Sequence, residues 1–193
     1  MREPQSELVF SDGWIAGLTP WRPCFTVQNR DAGYKTAHKA HYMTSMDIGT
    51  DVPAGFERLK RGGPYMANLG DLYCSRADGA IIIGMRITEN HTNMRGIAHG
   101  GMLASLADSA LGLGLTMYCE GRQSFVTVNL STDFVDAARP GDWVEAHVDI
   151  QKLGGRVAFA NCYLQVGSKR ILRASGVFAV MNALTPEQLA KGY

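Results

Sequence analysis

Charge of one sign is what this chain most lacks. Nineteen Lys and Arg balance 18 Asp and Glu across 193 residues, leaving a formal net charge of +1. A balance that even sets up no field to draw in nucleic acid or an anionic membrane. The basic pairs Lys60-Arg61 and Lys169-Arg170 are too short to act as patches, so neither partner is expected. Cysteine is scarce as well: Cys24, Cys74, Cys119 and Cys162 stand far apart, with no CxxC spacing. That excludes a disulfide framework and a thiolate zinc site, and it fits reduced thiols in a cytosol. The N-terminus shows no basic-then-apolar leader, so a cytoplasmic location is expected. His38 and His41 have no carboxylate or cysteine nearby to complete a metal site, and no metal is expected.

Long apolar runs are also rare, and the one present carries the main functional clue. From His99 to Glu120 the only formal charge between the ends is Asp108. Four glycines, two serines and that aspartate make the run a poor membrane span. Leu103, Leu106, Ala110, Leu113 and Met117 recur at helical steps and form one apolar stripe. Gly101, Ser105, Asp108 and Gly112 form the neighbouring stripe, where every residue but the aspartate is tiny. Large side chains therefore anchor one flank in a core, and the other leaves room for something to lie against Asp108. A carboxylate in such surroundings is costly unless something pairs with it or uses it.

The polar, turn-rich loop Asn90 to Ala98 delivers His99-Gly100-Gly101 to the first turn of this helix. The first N–H groups of a helix have no internal partner, and the positive end of its dipole lies there. Glycine at that point lets a ligand approach the backbone closely. The Gly100 N–H is thus placed to donate to a carbonyl oxygen that gains charge during a reaction. The same Gly-Gly pair reads equally well as a tight loop-to-helix turn.

The rest of the chain divides by pattern. Residues 1–46 hold Trp14 and Trp21 with no sustained period and are expected to be an irregular extension, with Met43 and Met46 as alternative starts. Residues 47–69 read as a helical lead-in closed by a Gly-Pro turn. Residues 70–184 form the main domain, and 185–193 a C-terminal tail. Within the domain, Leu72 to Arg76 and Ala80 to Thr88 read as a hairpin turning at Ala77-Asp78-Gly79. Phe125 to Val135 alternates, with Val126, Val128 and Leu130 on one face and Thr127, Asn129 and Ser131 on the other. Trp143 to Lys152, Arg156 to Val166 and Arg170 to Met181 follow, separated by glycine turns. Short turns predict antiparallel neighbours. The fold class is therefore α+β: an antiparallel sheet of five or six strands wrapped around one long central helix.

The run His91-Thr92-Asn93-Met94-Arg95-Gly96-Ile97-Ala98-His99-Gly100-Gly101, followed by Leu106-Ala107-Asp108, resembles the hotdog-fold acyl-CoA thioesterases of the PaaI-like, phenylacetate-pathway type. The resemblance continues through Val126-Thr127-Val128 and Phe134 to Pro140-Gly141-Asp142, and covers about residues 70 to 183. It implies a hotdog fold and hydrolysis of an acyl- or aroyl-CoA thioester. Asp108 would be the general base or nucleophile that brings water onto the thioester carbonyl, and Gly100 would hold the carbonyl oxygen. Asn93 and His99 would orient that region and the substrate; His99 reads chiefly as bonding loop backbone and fixing the first helical turn, and Asn93 reads equally well as a loop brace. Thr127 stands where better-known relatives use serine to hold the water.

The resemblance further implies a homodimer or dimer of dimers. Asn93, His99 and Gly100 of one chain would face Asp108 and Thr127 of another. No cofactor is implied. Gly101, Met102 and Arg95 are the expected substrate contacts. Met66, Met94, Met102 and Met117 either line an acyl pocket or are plain core, and the nucleotide is expected near Arg95 or Arg156. The alternative of another class is a non-catalytic acyl-CoA-binding sensor, which has no need for a lone carboxylate. A hydratase would use a His–Asp pair on a different motif, and a structural subunit would not need the Asn93 to Gly101 loop.

Overall fold

The computed structural model describes residues 52–60, 62–76 and 79–190. The chain divides into two units, Met1–Tyr42 and Met43–Tyr193, and the described residues belong to the second. The expected extension over residues 1–46, with Cys24, His38 and His41, lies outside them, as do Ala77 and Asp78 of the expected hairpin turn.

Among the described residues seven strands form one antiparallel sheet: β1 (Glu57–Arg58), β2 (Tyr73–Ser75), β3 (Ile81–Arg86), β4 (Gln123–Phe134), β5 (Trp143–Leu153), β6 (Val157–Val166) and β7 (Lys169–Asn182). The helices are α1 (Gly63–Leu69), α2 (Gly100–Tyr118) and α3 (Pro186–Ala190). Among the described residues no helix is long and apolar enough to cross a membrane.

Small residues let the sheet curl closely around α2. Leu103, Leu106, Ala107, Ala110, Leu111 and Leu115 are all but sealed from solvent. They pack with Ala146, Ala158, Ala160, Ala174 and Phe178 of the strands in a single core. A Cβ at Gly114 would meet Val148 at 2.7 Å, and one at Gly176 would lie 2.5 Å from the Phe178 ring. Each fully buried leucine stabilises the fold by about 1.5–3 kcal/mol. Leu113 and Met117, expected inside the main stripe, lie at its margin and are only partly buried. The wrapped sheet draws in Ala107, Leu111 and Leu115 instead.

α2 ends where the chain reverses. Glu120 and Gly121 take positive φ of 55° and 74°, and the Gly121 N–H returns to the Thr116 carbonyl at 2.9 Å.

Four expectations need correction. The seventh strand, β1, is two exposed residues long, too short for any period to reveal. The Gly-Pro turn opens α1 rather than following a helix: Pro64 occupies the first turn, where its missing N–H costs nothing. The sheet order is β1-β2-β3-β5-β6-β7-β4, so β4 lies beyond β7 as an edge strand and not beside β5. Finally, the alternation of β4 breaks at a bulge between Thr127 and Asn129. Phe125 and Leu130 pack on the core, while Val126 and Val128 are exposed at 56% and 64%. Thr127 pairs with the buried Phe178 and so shares its helix-facing side.

Candidate active site

The loop before α2 is built around a buried histidine. The imidazole of His91 is 4% exposed. Its Nδ1 accepts the Thr88 N–H at 3.0 Å, so the ring proton sits on Nε2 and is donated to the Leu69 carbonyl at the end of α1. The His91 carbonyl in turn accepts the His99 N–H at 2.7 Å.

Between these two histidines the chain closes into a tongue. Thr92 bridges Ala98, the Asn93 N–H bonds the Ile97 carbonyl at 2.9 Å, and Gly96, at φ 69°, returns its N–H to the Asn93 carbonyl. The Asn93 Oδ1 accepts the Arg95 N–H at 2.8 Å, an Asx turn that braces the tip. Met94 and Arg95 stand in solvent at that tip.

His99 is the N-cap of α2, with Nδ1 accepting the Gly101 N–H at 2.9 Å. A Cβ on Gly101 would come within 3.1 Å of that nitrogen, a tight contact that glycine avoids. The Gly100 N–H, the first of the helix, has no acceptor among the described residues. A Cβ on Gly100 would lie 3.3 Å from the exposed ring of Phe134, the last residue of β4.

Eight residues along the same helix, and so about 12 Å further along its axis, stands Asp108. It is half-buried in the single chain. Its Oδ1 accepts the Thr127 hydroxyl at 2.7 Å, and Oδ2 has no donor among the described residues. The bulge in β4 is what turns Thr127 towards the helix. The carboxylate is thereby held by one oxygen and open at the other.

The structure thus brings Asp108 and Thr127 together, and separately clusters His99, Gly100 and Gly101 beneath the Asn93–Arg95 tongue. It does not join these clusters within one chain. Nor does it gather the methionines. Met66 and Met102 are core at 3% and 7% exposure, Met94 is in solvent, and Met117 packs beside Cys74. Arg156 lies in the β5–β6 turn. Four residues had no assigned role from sequence: His91, Phe134, and the hydroxyl pair Tyr65 and Ser105, which spans 2.9 Å. A polar loop has no period to mark its buried member, and Tyr65 reaches α2 only in three dimensions.

Comparison with known proteins adds the context. A family model described as the thioesterase superfamily matches residues 95–168, which contain His99, Gly100, Gly101, Asp108, Thr127 and Phe134 but not His91, Asn93 or Tyr65. A predicted esterase of Pseudomonas aeruginosa is 43% identical over 129 residues, covering 66% of this chain and 96% of that protein. Acyl-coenzyme A thioesterase 13 of Mus musculus is 33% identical over 87 residues, covering 45% of this chain and 61% of the mouse protein. Among solved structures, a mutant of the phenylacetic acid degradation protein PaaI from Thermus thermophilus is similar with a TM-score of 0.53 at 26% identity. That match covers 60% of this chain and 97% of the other.

Proposed function

Because the chain belongs to the thioesterase superfamily, as a thioester hydrolase with a hotdog fold, we propose that it cleaves an acyl- or aroyl-CoA thioester to the free acid and coenzyme A. The observation that carries this reading is the Thr127–Asp108 hydrogen bond, which leaves Oδ2 open on a flank of small residues.

In the proposed reaction Oδ2 of Asp108 takes a proton from water as that water's oxygen attacks the thioester carbon. Direct attack by the carboxylate is the related route. The carbonyl oxygen becomes an oxyanion and is held by the Gly100 N–H. As the C–S bond breaks, the proton on Asp108 passes to the departing thiolate. A thioester is already activated, so a base, a placed water and one oxyanion donor suffice. The steps call for no metal or redox cofactor.

Asp108 and Gly100 are about 12 Å apart along one helix, too far to serve one carbonyl group. The proposal therefore pairs Asp108 and Thr127 of one protomer with Asn93, His99 and Gly100 of its partner, in a homodimer or dimer of dimers. The 12-residue edge strand β4 supports this assembly. Among the described residues it pairs with β7 alone, and it carries the exposed Val126 and Val128. A sensor domain has no use for an oriented carboxylate. The near-zero net charge favours neither nucleic acid nor membrane as a partner, and we place the enzyme in the cytoplasm.

The test is thiol release across a panel of acyl-CoAs by wild type and Asp108→Asn. Turnover is expected to fall roughly a hundred-fold or more, the scale of a positioned base, with folding intact. Equal turnover by the two proteins would remove Asp108 from the mechanism.

A further inference from the structure

α1 sends one large side chain to the flank of α2 that bears Asp108. The Tyr65 Oη lies 2.9 Å from the Ser105 Oγ. Ser105 precedes Asp108 by three residues, so the two share a flank and lie about 4.5 Å apart along the axis. Ser105 gives its one hydroxyl proton to the Gly101 carbonyl at 3.0 Å. Tyr65 must then be the donor in the tyrosine–serine pair. Its phenol is aimed by the first turns of α2, while the residue stays 62% exposed. An aromatic ring pinned at its far end and open along its side is a fixed wall. The other members of this flank, Gly101 and Gly112, carry no side chains, so Tyr65 supplies apolar surface that α2 does not.

We infer that Tyr65 is a specificity-determining residue. Its ring bounds the space for the acyl group beside Asp108, and the bond to Ser105 holds that boundary against bulkier or longer chains. The inference rests on the thioesterase reading of Asp108. It gives a role to α1, which lies outside the residues matched by the family model.

The experiment measures kcat/KM for straight-chain substrates from acetyl- to palmitoyl-CoA with wild type, Tyr65→Ala and Tyr65→Phe. Thermal midpoints confirm that each variant folds. Tyr65→Ala is expected to raise the ratio of long-chain to short-chain kcat/KM by about tenfold or more, the discrimination that a few methylenes command in an apolar pocket. Tyr65→Phe keeps the ring and loses only the tether, so the ratio should move in the same direction by a smaller factor. A uniform change across all chain lengths, or none, overturns the inference.

Kd values for the same panel separate this outcome from failure of the hydrolase reading. If wild type releases no thiol from any substrate, that reading fails. Tyr65 is then judged on whether Tyr65→Ala shifts the chain-length preference in Kd: a shift upholds its role, and an unchanged preference rejects it.

Discussion

The Thr127 hydroxyl donates to the Asp108 Oδ1 at 2.7 Å, tying an edge strand to the central helix. The bond fixes which carboxylate oxygen is held and which is open. Thr127→Ser keeps the hydroxyl and should retain turnover within a few-fold. Thr127→Ala should lower it by about ten- to a hundred-fold, because a hydrogen bond to a charged group contributes about 1.5–3 kcal/mol. Thiol-release kinetics on both variants check this. Equal activity of the alanine and serine variants would show that the hydroxyl does not orient the acid.

In the structure His99 bonds backbone. Its Nδ1 accepts the Gly101 N–H at the helix start. Losing an N-cap costs about 1 kcal/mol, and asparagine is a good substitute. Urea unfolding should therefore show His99→Ala destabilised by about that amount and His99→Asn close to wild type. An alanine variant as stable as wild type would deny the cap its energetic role.

The described thiols are expected to be chemically quiet. Burial pushes the Cys162 thiol up from its ordinary value of 9.0 to about 12, and burial also raises Cys74 and Cys119. Thiolate is the reactive form, so Cys162 should resist iodoacetamide at pH 8 in the native protein and label only on unfolding. Between pH 9 and about 12 the unfolded Cys162 loses its proton while the folded one keeps it. Stability is therefore lost as pH rises through that window. Peptide mapping after native alkylation checks the first point, and rapid labelling of Cys162 would contradict its burial.

Much of the fold was legible because α2 announces itself: a sustained apolar stripe, one acid, and a glycine pair after a polar loop. Six strands could be found from alternation and turns. What local pattern could not supply was long-range or irregular. The bulge beside Thr127 reverses the facing of Val126 and Val128, since one extra residue shifts a period-two pattern onto the other side. The place of β4 beyond β7 depends on where α2 delivers the chain, and two-residue β1 has no pattern at all.

At the site, the Asp108 flank and the Gly100 helix start were readable from spacing, and Thr127 from family resemblance. His91 was not, because only tertiary contact makes it the buried histidine of the pair. Met102, next to the site in sequence, packs its side chain in the core at 7% exposure, the second of the two readings that its sequence left open.

The division of the site between two protomers can be tested by mixing two impaired proteins. Gly100→Pro removes the N–H from the first helical position, where proline is well tolerated. His99 already has the extended φ −66°, ψ 131° that a following proline requires. This variant should lose about a hundred- to a thousand-fold in turnover, and Asp108→Asn should be similarly slow. When the two are unfolded together and refolded, half the dimers combine one chain of each kind. Such a dimer holds one intact Asp108 facing one intact Gly100. The mixture should recover about a quarter of the wild-type rate, as a two-fold symmetric interface requires. A mixture that contains verified heterodimers yet stays as slow as its parents would show that no site is shared between chains.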